Sequence, residues 1–204
     1  MMQSASAAAT GEPARITEQS IYNAAVRLIF ERGYHGTSLR AVAGEVGLQM
    51  SSLYYYFPSK QDLLMQIMRR TMSDLMATVE RAIAKAADPE GRLRAAIRAH
   101  ILFHAKRREE AFVVDAELRA LAPANYAAVV ATRDRYERLF AEVLRDGAEQ
   151  GQFRVPDAKL AVFALMAMCT GVAVWYRPHG RLSLERVADI YTDLFLRGVL
   201  AGGA

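Results

Sequence analysis

Residues 37–60 read TSLRAVAGEVGLQMSSLYYYFPSK, and the pattern within them decides the fold. Leu39, Val42, Ala43 and Val46 recur at helical spacing behind Thr37, a side chain able to cap a first turn. Gly47 ends that helix, because glycine enters the left-handed conformation just past a helix C-terminus at little cost. Leu48 restarts the apolar pattern, and Leu53 and Phe57 continue it on one face of a second helix. Met50, Ser51, Ser52, Tyr54, Tyr55 and Tyr56 occupy the opposite face. Pro58 stops this helix, and Ser59 is placed to cap a third that begins at Lys60.

Two short helices joined at a glycine predict a helix-turn-helix, whose second helix lies in the major groove with its N-terminal residues towards base edges. Small hydroxyl side chains permit close approach, and tyrosine hydroxyls reach phosphate oxygens. The competing reading is an ordinary helical hairpin with an aromatic contact stripe. Three consecutive tyrosines beside two serines cannot all point inward, which favours the DNA reading.

In T-S-L-R-x-V-A, G-L-x-x-x-S-L-Y-Y-Y-F and P-S-K-x-x-L-L the chain resembles the TetR family of one-component transcription regulators. At the level of helix lengths the resemblance extends over the whole chain. It implies an all-α homodimer, with an N-terminal three-helix DNA-binding head and a C-terminal ligand-binding and dimerisation domain. Helical periodicity along the chain gives roughly nine helices. The sequence departs from the family at Gln49, where a capping serine is usual, and at Tyr56, often a histidine. Both keep hydrogen-bonding capacity, so the role stands while the operator sequence stays open.

For a regulator of this kind the expected contacts are specific. Ser51, Ser52 and Tyr55 face bases, Met50 meets a thymine methyl, and Arg40 reaches a base or a phosphate. Thr37, Tyr54, Tyr56 and Lys60 bind phosphates and set register.

Bulk charge adds little to this. The 204-residue chain is 52% apolar and 24% charged, with a formal net charge of +4, ordinary for a folded protein. Through Lys60 there are five Lys/Arg (Arg15, Arg27, Arg32, Arg40, Lys60) against four acids (Glu12, Glu18, Glu31, Glu45). The DNA reading therefore rests on the motif. The single cysteine, Cys169, excludes a disulfide framework within one chain and fits a reducing cytoplasm.

Residues 1–14, rich in small residues, lack the layout of a signal peptide and are expected to be disordered. Arg15 follows, placed to reach a phosphate or the minor groove. The head is assigned to residues 15–60, with its first helix starting at Thr17 and Glu18 and ending at Gly33. Residues 61–204 form the second domain. Its helices are expected over 60–87, 90–107, 109–121, 123–150, 157–177 and 183–201, the first acting as a lever between domains. The uncharged run from Leu160 to Tyr176 is short for a membrane span, and a helix buried on most sides is expected instead. No membrane partner is predicted.

By resemblance, the effector lies among the middle helices, and the last two helices, within about 157–201, pair with those of a second copy as a two-fold interface. The ending WYRPHGRLSLERVADIYTDLFLRGV, with EQGQFRVPD before it, resembles a branch that controls lipid and steroid-ring catabolism and senses acyl-CoA thioesters. His100, Phe103, His104, Phe112, Tyr126 and Met166, with Ile101, Val113 and Met168, are the expected lining of an adaptable apolar pocket. Arg94, Arg98, Lys106, Arg107 and Arg108 are candidates for ligand phosphates, although a solvated basic face is the favoured reading for most of them. His100 and His104 share a helix face with metal-ligand spacing, and Asp115 or Glu117 on the next helix could add a carboxylate, but no HExxH motif or cysteine partner accompanies them. Satisfied core histidines are the favoured reading, and no metal or cofactor is implied.

The leading function is a repressor released from a pseudo-palindromic operator by a small hydrophobic effector. Alternatives are an activator, an effector-independent regulator, and an all-helical small-molecule carrier with a non-reading head. No nucleophile–base constellation or glycine-rich phosphate loop supports an enzyme.

Overall fold

Ile21, Ala25, Leu28 and Ile29 share one buried face of helix α1 (Glu18–Gly36). This computed structural model describes residues 18–201, so the arm expected over 1–14, Arg15 and the helix start at Thr17 lie outside the described residues. Gly33 adopts φ 72°, ψ 164°, which interrupts the helical path three residues before α1 ends. That region of backbone space is essentially restricted to glycine.

Helices α2 (Leu39–Glu45) and α3 (Met50–Tyr56) are joined through Gly47, at φ 70°. Val42, Leu53 and Phe57 are fully buried against α1 and α4 residues of the same core. Burial of each such side chain is worth about 1.5–3 kcal/mol, enough to hold two helices too short to be stable alone. The capping residue is Ser38, not Thr37: its hydroxyl accepts the Ala41 N–H at 3.1 Å. Thr37 is only 3% exposed, and its hydroxyl lies 3.0 Å from the carbonyls of Leu28 and Gly33, donating inward. It serves the end of α1, where carbonyls lack helical donors.

The Ser59 hydroxyl accepts the Asp62 N–H at 3.1 Å and donates to the Asp62 carboxylate at 2.7 Å, opening α4 (Lys60–Ile83). This helix is about 36 Å long. It ends at Ile83, short of residue 87, and after a turn Asp88 caps α5 (Pro89–Lys106), accepting from the Gly91 N–H at 2.9 Å. Helix α6 (Arg108–Ala116) is also shorter than expected, its last turn tightening into a 3-10 turn at Leu118–Ala120. Helix α7 (Pro123–Glu149) follows. The single helix expected over 157–177 is divided at Gly171 into α8 (Ala158–Thr170) and α9 (Val172–Trp175). Ser183 caps the last helix, α10 (Leu184–Val199). The nine-helix plan holds apart from this division. Among the described residues extended pairing is limited to one isolated bridge, Phe153 with Leu200.

Helix α5 is the axis of the second domain, with α4, α7, α8, α9 and α10 packed around it. Leu93, Ala96, Ile97 and Ile101 on α5 are fully buried. Arg94 reaches Asp193 at 2.7 Å and Arg98 pairs with Asp189, so two turns of α5 are stitched to α10. Cys169 is buried, and burial pushes its thiol up to about 12, so it stays protonated.

Ala158–Trp175 is apolar and long enough to cross a membrane by composition, with mean hydropathy 1.8. Only 22% of that stretch is buried within the chain, which corrects the expectation of a helix covered on most sides. The core cluster takes Val162, Leu165, Cys169 and Val172 from it, one residue per turn, and Ala173 is buried beside them. Leu160, Phe163, Val174 and Trp175 face outward.

Candidate nucleic-acid interface and effector cavities

On α3 the buried anchor Leu53 turns the rest of the helix outward. Ser51 and Ser52 are exposed, Tyr54 is 49% and Tyr55 85% exposed, and Tyr56 is also accessible. The rings of Tyr55 and Tyr56 meet edge-on at 5.5 Å, so they form one aromatic ridge. Arg40 on α2 is exposed beside them in the motif, whereas Met50 is half-buried and packs on the head core. Gln49 precedes α3 without a side-chain capping bond. The inward hydroxyl of Thr37 removes it from the set of expected phosphate ligands. Arg27 and Glu45 form an ion pair that braces α1 against α2.

The head meets the second domain at Tyr34. Its backbone N–H donates to Glu117 Oε1 at 2.9 Å, and its hydroxyl accepts from Gln61 Nε2 at 2.8 Å. The Lys60 ammonium lies 4.0 Å from the centre of its ring, a cation–π distance. Desolvation lowers the Lys60 pKa, opposed in part by the Glu117 carboxylate. Gln61 also donates to Ala120 O at 2.7 Å and accepts from Ala122 N at 2.9 Å. Two residues that open α4 are thus fixed between the end of α1 and the turn after α6. The motif pointed to Lys60 alone; Tyr34, Gln61 and Glu117 carry no pattern in sequence that marks them as one joint.

The six residues expected to line one effector pocket do not come together. His100 and His104 are core residues whose rings stack with centroids 4.0 Å apart. His100 Nδ1 is 2.6 Å from the Tyr136 hydroxyl and Nε2 is 3.1 Å from Thr170 Oγ1. His104 Nδ1 is 3.0 Å from the His100 carbonyl. Burial drives both pKa values down, that of His100 furthest and with a further push from His104. Ile101 and Val113 are fully buried, and Met166 and Met168 pack on the core from partly exposed positions. Tyr126 is exposed on α7.

Phe112 and Phe103 line two separate spaces. Phe112 borders a cavity of about 610 Å³ with Phe30, Arg108, Ala167, Thr170 and Val174. Phe30 and Phe112 meet edge-on at 5.1 Å, so the cavity touches α1 of the head as well as α6, α8 and α9. Phe103 borders a groove of about 700 Å³ between α4 and α5. Phe30 was missed in sequence because it belongs to the head. Ala167, Gly171 and Ala173 fall within the stretch expected to pair with a second copy, yet they line the Phe112 cavity. Of the candidate phosphate ligands, Arg94 and Arg98 are held by α10 carboxylates, and Arg107 by Asp74 and Glu110. Lys106 and Arg108 have no ion pair among the described residues, Arg108 lying 5.5 Å from the Phe30 ring centre.

Comparison with known proteins agrees with this architecture. Residues 21–67 match the family described as bacterial regulatory proteins, tetR family, and residues 86–199 match the tetracyclin repressor-like C-terminal domain. The HTH-type transcriptional repressor KstR2 of Mycobacterium tuberculosis is 28% identical over 182 residues, covering 88% of this chain and 90% of the relative. The TetR family transcriptional regulator PfmR from Thermus thermophilus superposes with a TM-score of 0.80 at 35% identity, over 87% of this chain and 97% of that one. AibR, solved in complex with isovaleryl coenzyme A and operator DNA, superposes with a TM-score of 0.80 at 29% identity, over 86% and 96%.

Proposed function

This chain belongs to the TetR family of bacterial transcriptional regulators, DNA-binding proteins and not enzymes, and on that premise we propose a homodimeric repressor released by an acyl-CoA effector. The observation that carries the reading is the two-sidedness of α3. Leu53 is fully buried while Ser51, Ser52, Tyr54, Tyr55 and Tyr56 project together from a braced head. Ser51, Ser52 and Tyr55 read bases, helped by Arg40 and the exposed part of Met50; Tyr54, Tyr56 and Lys60 hold phosphates.

Leu160, Phe163, Val174, Trp175 and Leu194 supply an exposed apolar surface on α8, α9 and α10. A two-fold partner covers it and sets two heads on successive major grooves of a pseudo-palindrome. The protein works in the cytoplasm, where its DNA is.

The effector occupies the cavity beside Phe112. Its apolar wall suits an acyl group, Arg108 offers a charge to a phosphate, and Phe30 links the ligand directly to the head. The isovaleryl coenzyme A bound by the structurally similar AibR supports that ligand class. A ligand that binds one head spacing better than the other shifts the population away from the DNA-bound state.

Fluorescence anisotropy with the DNA flanking the protein's own gene, against scrambled DNA and across a salt series, tests this. Selective, salt-sensitive binding that isovaleryl-CoA or a longer acyl-CoA reverses is expected. Sequence-indifferent binding to all DNA, including fragments recovered in a genome-wide operator search, would sink the regulator reading in favour of a carrier.

A further inference from the structure

We propose that the groove between α4 and α5 is a separate binding site for a free fatty carboxylate. Thr78, Arg81 and Ala82 fall on one face of the α4 end, with Lys85 in the turn that follows, and Ala95, Ala99, Leu102, Phe103 and Lys106 on one face of α5. Alanines at the seam leave the space between the helices open, at about 700 Å³. The Arg107–Asp74 ion pair at 2.6 Å fixes the register of the two helices. From Ala95 to Lys106 the apolar floor runs for about 16 Å along α5, the dimension of an extended acyl chain.

The charge around this floor is one-sided. Arg81, Lys85, Lys106 and Arg107 line the groove, and no carboxylate does. The cavity beside Phe112 differs, since Asp115 lines it together with Arg108. Arg107 turns its guanidinium to Glu110 and Asp74, which closes the fork that suits bidentate phosphate recognition. Lys85 and Lys106 carry no ion pair among the described residues, and each offers a compact charge at one end of the floor. Those features select a single chain with one small anionic head over a nucleotide-bearing thioester. The carboxylate sits on Lys106, and the chain covers Phe103, Leu102 and the alanines.

The site is independent of DNA reading, so its test is direct. Dodecanoate is titrated calorimetrically into the full-length protein without DNA, with dodecanoyl-CoA as the comparison ligand. Saturable binding is expected, weaker by about tenfold in Lys106→Glu, where an exposed attractive charge becomes repulsive. Ala99→Trp, which fills the groove, abolishes it, and Ala167→Trp, which fills the cavity beside Phe112, leaves it unchanged. The surface variant Lys106→Glu keeps the test decisive even where a filling variant misfolds. No saturable binding, equal binding by wild type and Lys106→Glu, loss only in Ala167→Trp, or tighter binding of dodecanoyl-CoA that Ala99→Trp removes would each overturn the proposal.

Discussion

The backbone N–H of Tyr34 donates to the Glu117 carboxylate at 2.9 Å, joining residues 83 positions apart at the point where the head meets the second domain. Gly33 creates the need for this bond, because its φ of 72° takes the chain out of helical register and the next N–H requires another acceptor. Glu117→Ala leaves that donor unpaired and is expected to cost about 1–3 kcal/mol in denaturant unfolding. Glu117→Gln, which keeps an acceptor oxygen, recovers most of the loss. Equal stability of wild type and Glu117→Ala would remove the bond from the account of the joint.

Lys60 stands at the same joint with its ammonium over the Tyr34 ring. If it also holds a phosphate, Lys60→Ala weakens binding to every DNA sequence alike and lowers the slope of log K against log salt by about 1. A slope unchanged within error assigns Lys60 to the joint alone.

The stacked pair His100 and His104 makes stability depend on pH. Both pKa values are depressed in the folded chain by burial, while in the unfolded chain each histidine takes up its proton near pH 6.5. Below that value the unfolded state binds more protons than the native one, so stability falls as pH falls and is fully present above it. The limiting slope is about 1.4 kcal/mol per pH unit for each histidine. Thermal melts between pH 8 and pH 5 should show this decline, and His104→Gln should reduce its slope. A flat profile across that window would contradict the buried, neutral pair.

Gly147 has no room for a side chain. A Cβ built there lies 2.1 and 2.3 Å from two atoms of the Phe153 ring, which is itself buried. Gly147→Ala is expected to destabilise by about 1–3 kcal/mol through overpacking. Adding Phe153→Leu should relieve part of the clash, so a double-mutant cycle will show coupling; strictly additive losses would rule the contact out as the cause.

Phe163 is half-exposed on the outer face of α8. Phe163→Glu places a charge in the middle of the surface assigned to the dimer and should shift sedimentation from dimer to monomer while leaving the helical content intact. An unaltered dimer would move the interface elsewhere.

Local chemistry determined much of this protein from sequence alone. Gly47, Ser59, the Asp88-Pro89 pair and Ser183 each fix a helix boundary through backbone conformation or a capping bond within a few residues, so the helices were legible. The outward face of α3 was legible too, since Leu53 and Phe57 can be buried only if the serines before Leu53 and the tyrosines between the two are not.

The tertiary structure decided what depends on a neighbour distant in sequence. Thr37, the residue expected to cap α2, leaves that role to Ser38 because the carbonyls of Leu28 and Gly33 draw its hydroxyl inward. Arg94 and Arg98 looked like ligand groups until α10 brought Asp193 and Asp189 to them. Phe103, Phe112 and His100 shared a plausible pocket in sequence, and three different helix contacts sent them to a groove, a cavity and the core. Helical periodicity tells which residues share a face; only packing tells what that face meets.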